Sequence, residues 1–145
     1  MPMDSLQNVP PRRALATMRI IWGAIILGQL VFLAVLILVI MPKQQPHPAQ
    51  PVLVWMNLIL LVTAVPMTFG LRQLAFRKTQ VEGRIPAAVY SRANLIFWAG
   101  CESVSFFGMV VAMLNDTLWP TIVVVIIAMV LQVLTFPVGA KILTQ

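Results

Sequence analysis

The stretch ANLIFWAGCESVSFFGMVVAML, residues 93–114, carries a single charge, Glu102, and is apolar almost throughout. A helix rises about 1.5 Å per residue, so about 20 residues cross the hydrocarbon of a bilayer, and this segment is long enough. An ionisable group at mid-membrane costs roughly 2.5–3.5 kcal/mol on insertion scales. A carboxylate kept at that cost points by default to an ion or proton pathway. The bland alternative is a neutral, protonated Glu that hydrogen-bonds a neighbouring helix.

Three more runs are long and apolar enough to span: residues 20–41, 52–70 and 121–140. The chain is 60% hydrophobic and 10% charged, with a mean hydropathy of +0.93, outside the range of soluble domains. Residues 1–145 are therefore expected to form one all-α membrane domain with four transmembrane helices. One His, one Cys and four acidic residues assemble neither a catalytic triad nor a metal cluster, so no enzyme, no metal and no cofactor is expected.

Arg12 and Arg13 precede the first apolar run as an n-region precedes a signal peptide's h-region. That run is longer than the about 7–15 residues of an h-region and ends in Met41-Pro42-Lys43 rather than in a cleavage site, so it is read as a helix of the mature protein. Lys and Arg are retained on the cytoplasmic side of short loops. Arg12, Arg13, Arg19, Arg72, Arg77, Lys78, Arg84, Arg92 and Lys141 fall on one side and only Lys43 on the other. Both termini and the loop 71–92 are thus expected in the cytoplasm, as in a multi-pass protein of a bacterial inner membrane. The net charge of +6 is explained by this asymmetry and by attraction to anionic headgroups. No aromatic-interleaved basic surface suggests nucleic acid.

Residues 42–51 hold too many prolines for a helix and read as an extended link; His47 within it reads as an incidental loop residue. Residues 115–120 read as a tight turn, with Pro120 suited to a helix start. Short turns imply two antiparallel hairpins, helices one with two and three with four. A weak repeat relates the halves: Arg19 precedes Gln29 by ten residues, as Arg92 precedes Glu102, and Pro66 and Pro137 lie near the ends of helices two and four. If real, Gln29 holds the place of Glu102 without the proton.

Around the carboxylate, Cys101, Ser105, Gly108 and Ala112 recur at helical steps, a seam of small residues that admits another helix closely. Trp98, Ser105, Phe106 and Met109 share the face of Glu102. Gln132, near mid-membrane in the fourth helix, is the expected hydrogen-bond partner of Glu102, and Asn57 lies nearer the outer side. The candidate ion-binding set is Glu102, Ser105, Gln29 and Gln132.

The segment from Ala99 to Leu114 resembles the carboxylate helix of subunit c, the proteolipid of F-type and V-type rotary ATPases. There a small-residue segment precedes the carboxylate, and an aromatic-glycine step followed by aliphatics comes after it, as in Phe107-Gly108-Met109-Val110 here. The resemblance implies a homo-oligomeric ring or belt that binds protons at Glu102, with the bilayer, protons and further copies of the chain as partners. Neither 52–70 nor 121–140 has the glycine-rich repeat of that family's inner helices, which implies a wider assembly. Two other readings stay open: a small proton-coupled transporter, whose membrane Glu lies in the first helix where this chain has Gln29, and an accessory subunit of a larger membrane complex.

Overall fold

The computed structural model describes residues 11–43, 50–80 and 84–138, and is built from four α-helices. They are α1 (Pro11–Val35), α2 (Pro51–Thr79), α3 (Ala87–Leu114) and α4 (Thr121–Leu134). α1 continues through one π-helical stretch, Leu36–Ile40, and a 3-10 turn, Met41–Lys43. Three helices are long and apolar enough to cross a membrane, spanning Arg12–Ile40, Pro51–Thr79 and Ala87–Leu114; α4 is a shorter apolar helix. A multi-pass membrane protein is the class these lengths and compositions define.

The helices overrun the apolar runs at the basic end. α2 continues to Thr79 and α3 begins at Ala87, so most of the expected loop 71–92 is helical and only residues 80–86 connect the two. Hydropathy marks where hydrocarbon begins, whereas the backbone ladder continues through Arg72, Arg77 and Lys78, good helix formers that suit a helix C-terminus.

The fourth helix departs from its apolar run in the other direction. It was expected over 121–140 and ends at Leu134, about 21 Å long at the helical rise. Pro137 lacks an N–H and disfavours helix at the residue before it. Thr135 turns back on the last turn, its hydroxyl donating to the Leu131 and Gln132 carbonyls at 3.1 and 3.0 Å. Residues 139 and 140 lie outside the described residues, as does His47.

α3 is the core helix: half of its apolar stretch is buried, against 11% for α1 and 17% for α2. It packs along α2 and α4, and α1 lays its main contacts on α3 rather than on α2, its neighbour in sequence. Phe97, Trp98, Cys101 and Val104 meet Met18, Val65, Val124 and Ala128 in the larger core cluster. A smaller one joins Met109 and Ala112 to Leu36 and Val125. At the end opposite the basic residues, the Gln50 N–H at the start of α2 donates to Asn115 Oδ1 in the α3–α4 turn at 2.7 Å. Asp116 takes a left-handed φ of 52° in that turn, a conformation Asp tolerates better than most residues.

α1 and α3 run parallel and nearly in step. The Ser91 hydroxyl lies 3.1 Å from Met18 Sδ, a separation of 73 positions, and fourteen residues further along α1 the rings of Phe32 and Phe106 meet edge-on at 5.4 Å. The register between these two contacts sets Gln29 and Glu102 at the same height. The pairing of depths suggested by the Arg19–Gln29 and Arg92–Glu102 spacings is therefore a spatial fact, whatever its origin.

Candidate functional site: a buried amide relay beside Glu102

Gln29 on α1 and Gln132 on α4 are both fully buried and bond each other. The Gln29 Nε2 donates to Gln132 Oε1 at 2.9 Å, and Gln132 Nε2 donates to the Trp98 carbonyl at 2.8 Å. That carbonyl also faces the N–H of Glu102 four residues on, the ordinary helical pairing. The relay thus runs from α1 across α4 to the turn of α3 that carries the carboxylate.

Amide orientation follows from the chemistry of the partners. A backbone carbonyl only accepts, so Gln132 must turn its NH2 toward Trp98, which leaves its oxygen toward Gln29. Gln29 must then offer its own NH2, and its Oε1 is left with no hydrogen-bond partner. A buried acceptor without a donor costs about 1–3 kcal/mol.

The end of α4 is held to α1 and α3 by a second set of contacts. Trp22 Nε1 donates to the Gln132 carbonyl at 2.9 Å, and its ring meets Phe136 edge-on at 5.0 Å. Arg19 Nε donates to the Pro137 carbonyl at 3.3 Å, with its guanidinium over Phe136 at 5.6 Å. Trp98 Nε1 donates to Thr135 Oγ1 at 3.1 Å. Carbonyls released where α4 stops are thereby taken up by α1 side chains, as a helix end in an apolar setting requires.

Glu102 itself is half-buried, on the flank of α3 that also carries Phe106 toward α1, and makes no hydrogen bond or ion pair among the described residues. The expected Gln132–Glu102 bond is replaced by the Gln132–Gln29 and Gln132–Trp98 bonds. The reason is rotational: Gln132 faces the inner side of α3, while Glu102 lies at the edge of its buried arc.

Ser105 is fully buried and its hydroxyl is unpartnered. Cys101, Ser105, Gly108 and Ala112 are all buried within the protomer. A Cβ added at Gly108 would come within 2.8 Å of Val125 Cγ2 and 3.1 Å of Asn57 Oδ1. The seam therefore joins α3 to α2 and α4 of the same chain. Asn57 Nδ2 donates to the Val104 carbonyl at 3.2 Å. Asn94, fully buried with Nδ2 on the Tyr90 carbonyl at 2.8 Å, passed unremarked in the sequence, as did Trp22 and Thr135. For Trp22 a signal exists, since an indole N–H in an apolar span requires an acceptor. Among the described residues no group of three or more His, Cys, Asp or Glu could hold a metal.

No family model, curated protein or solved structure matches the chain.

Proposed function

We propose that the chain is a proton-binding membrane protein in which Glu102, when protonated, donates a hydrogen bond to Gln29 Oε1 and completes the relay to Gln132 and Trp98. The observation that carries this reading is the orphaned acceptor of Gln29 at the height of the one carboxylate in the α3 span. An ionised carboxylate only accepts and offers Gln29 nothing; the acid form has the O–H the site lacks. Proton binding and release at Glu102 then makes and breaks one hydrogen bond between α1 and α3, beside the Met18–Ser91 and Phe32–Phe106 contacts that hold the two helices together.

No other charged group interferes at that level. The apolar parts of α1 (20–40), α2 (51–71) and α4 (121–134) hold no titratable side chain, and on α3 only the buried Cys101 shares the depth. The half-buried carboxyl at the edge of the bundle suits exchange of the proton with a neighbouring molecule. We take that neighbour to be a further copy of the chain in a ring or belt of the subunit c kind.

A hydrophobic carbodiimide, which reacts with protonated carboxyls in apolar surroundings, should modify Glu102 selectively, with labelling that falls as pH rises. Glu102→Gln should keep the fold, because an amide N–H can donate where the acid O–H would, and should abolish proton flux in reconstituted vesicles. Flux equal to wild type in Glu102→Gln, or absence of labelling across the range of pH in which the protein stays folded, overturns the reading.

A further inference from the structure

The basic end of the bundle contains a groove of about 200 Å³ between α2 and α3, walled by Leu71, Ala75, Val89, Ala93 and Ile96 and bordered by Arg72 and Arg92. Its walls are almost wholly hydrocarbon, and the two charged residues at its border, Arg72 and Arg92, are both cationic. Arg72 is not a free surface arginine. Its guanidinium lies over the rings of Phe76 and Phe97, at 5.2 and 5.7 Å. Its Nε is buried and has no hydrogen-bond partner. The stacked pair Phe76 and Tyr90, 5.7 Å between centroids, braces the same region.

We propose that this groove binds one anionic phospholipid, with an acyl chain along Leu71, Ala75 and Ile96 and the headgroup phosphate between Arg72 and Arg92. Each part of the site matches one part of that ligand. Planar guanidinium groups pair with phosphate oxygens bidentately. The two arginines stand where the apolar runs of α2 and α3 end, the level at which headgroups lie. Basic pockets between helices at such a level suit anionic headgroups. A soluble phosphate would satisfy the arginines and leave the apolar walls unused, so a lipid is the occupant that fits the whole groove. The aromatic stacking holds the Arg72 fork in place before the ligand arrives, which reduces the ordering cost of binding.

The test uses the full chain in a non-ionic detergent, with bound lipid counted by native mass spectrometry and the unfolding temperature followed. The probes are dioleoyl phosphatidylglycerol, dioleoyl phosphatidylcholine and inorganic phosphate. Phosphatidylglycerol should be retained in preference to phosphatidylcholine and should raise the unfolding temperature. Arg92→Gln and Arg72→Gln should each lower its retention about fivefold, the factor equivalent to ~1 kcal/mol per basic residue near a headgroup layer. Arg77→Gln, outside the groove, should leave retention unchanged. Ala75→Leu, which fills the groove without removing charge, should also lower retention. If Arg72→Gln fails to fold, the exposed Arg92 and the Ala75 variant decide. Equal retention of the two lipids by the wild type overturns the proposal. So does a loss in Arg77→Gln as large as in Arg92→Gln, or full displacement of the lipid by inorganic phosphate.

Discussion

Gln29 and Gln132 illustrate how much a pair of neutral amides decides where no water can substitute for a lost partner. Removing one partner should cost more than removing both, because the survivor keeps its desolvation penalty. Gln132→Leu is expected to destabilise the protein by about 1–3 kcal/mol, and the double variant Gln29→Leu/Gln132→Leu by clearly less than the sum of the singles. Reversible unfolding in mixed micelles measures this cycle, and strictly additive losses would mean that the pair does not bond. Gln29→Glu should be tolerated better than Leu33→Glu, since a protonated Glu at 29 still donates to Gln132 Oε1, whereas position 33 has no amide waiting. Equal yields and melting behaviour of the two would count against the relay. At this scale the sequence singled out Glu102, Gln29 and Gln132 because each is polar within an apolar run, and the structure brings Gln29 and Gln132 into one hydrogen bond. It did not show who pairs with whom. Depth along a helix is one coordinate, and the rotation of α1 and α4 about their axes, which turns Gln132 toward Gln29 and Trp98, is set by packing.

Among the elements, α3 does most of the joining, and its small residues set how closely α2 and α4 approach. The seam of Cys101, Ser105, Gly108 and Ala112 was legible as a close contact from its spacing alone. That it lies inside the protomer was not, since small residues look the same whether the partner helix belongs to one chain or two. A methyl at Gly100 would meet Thr68 Cγ2 at 2.8 Å and Oγ1 at 2.9 Å, and one at Gly108 would meet Val125 at 2.8 Å. Gly108→Ala and Gly100→Ala should therefore each cost about 1–3 kcal/mol, as overpacking does. Gly23 and Gly28 on α1 have nothing within 4 Å of a built Cβ, so Gly28→Ala should be neutral or stabilising by about 0.5–1 kcal/mol, the ordinary helix preference for Ala. A thermal shift of the same sign at all four glycines would remove the distinction between seam and surface. The end of α4 was the element least legible: hydropathy continues past Leu134, and it is Pro137, acting on the backbone, together with the Thr135 hydroxyl that ends the helix.

For the whole molecule, eight basic residues of the described chain, from Arg12 to Arg92, gather at one end, where α1 begins, α2 ends and α3 begins. The parallel register of α1 with α3 and the stacking of Phe76 on Tyr90 bring these three helix ends together, so the charge asymmetry read along the chain is also an asymmetry in space. Lys and Arg resist translocation when they flank short loops, and this predicts that the basic end stays in the cytoplasm. The prediction can be tested without disturbing the bundle. Cys101 is fully buried, and Cys101→Ala provides a background with no thiol. Cysteines at Gln80, between α2 and α3, and at Gln50, at the start of α2, are both exposed positions. A membrane-impermeant maleimide applied to intact cells should label Gln50→Cys and spare Gln80→Cys, and detergent should expose both. The reverse pattern would invert the bundle, place the arginine-bordered groove in the outer leaflet, and require Glu102 to be reached from the other side. Labelling of both sites from outside, without detergent, would mean that α2 does not cross the membrane, because the two positions flank that helix.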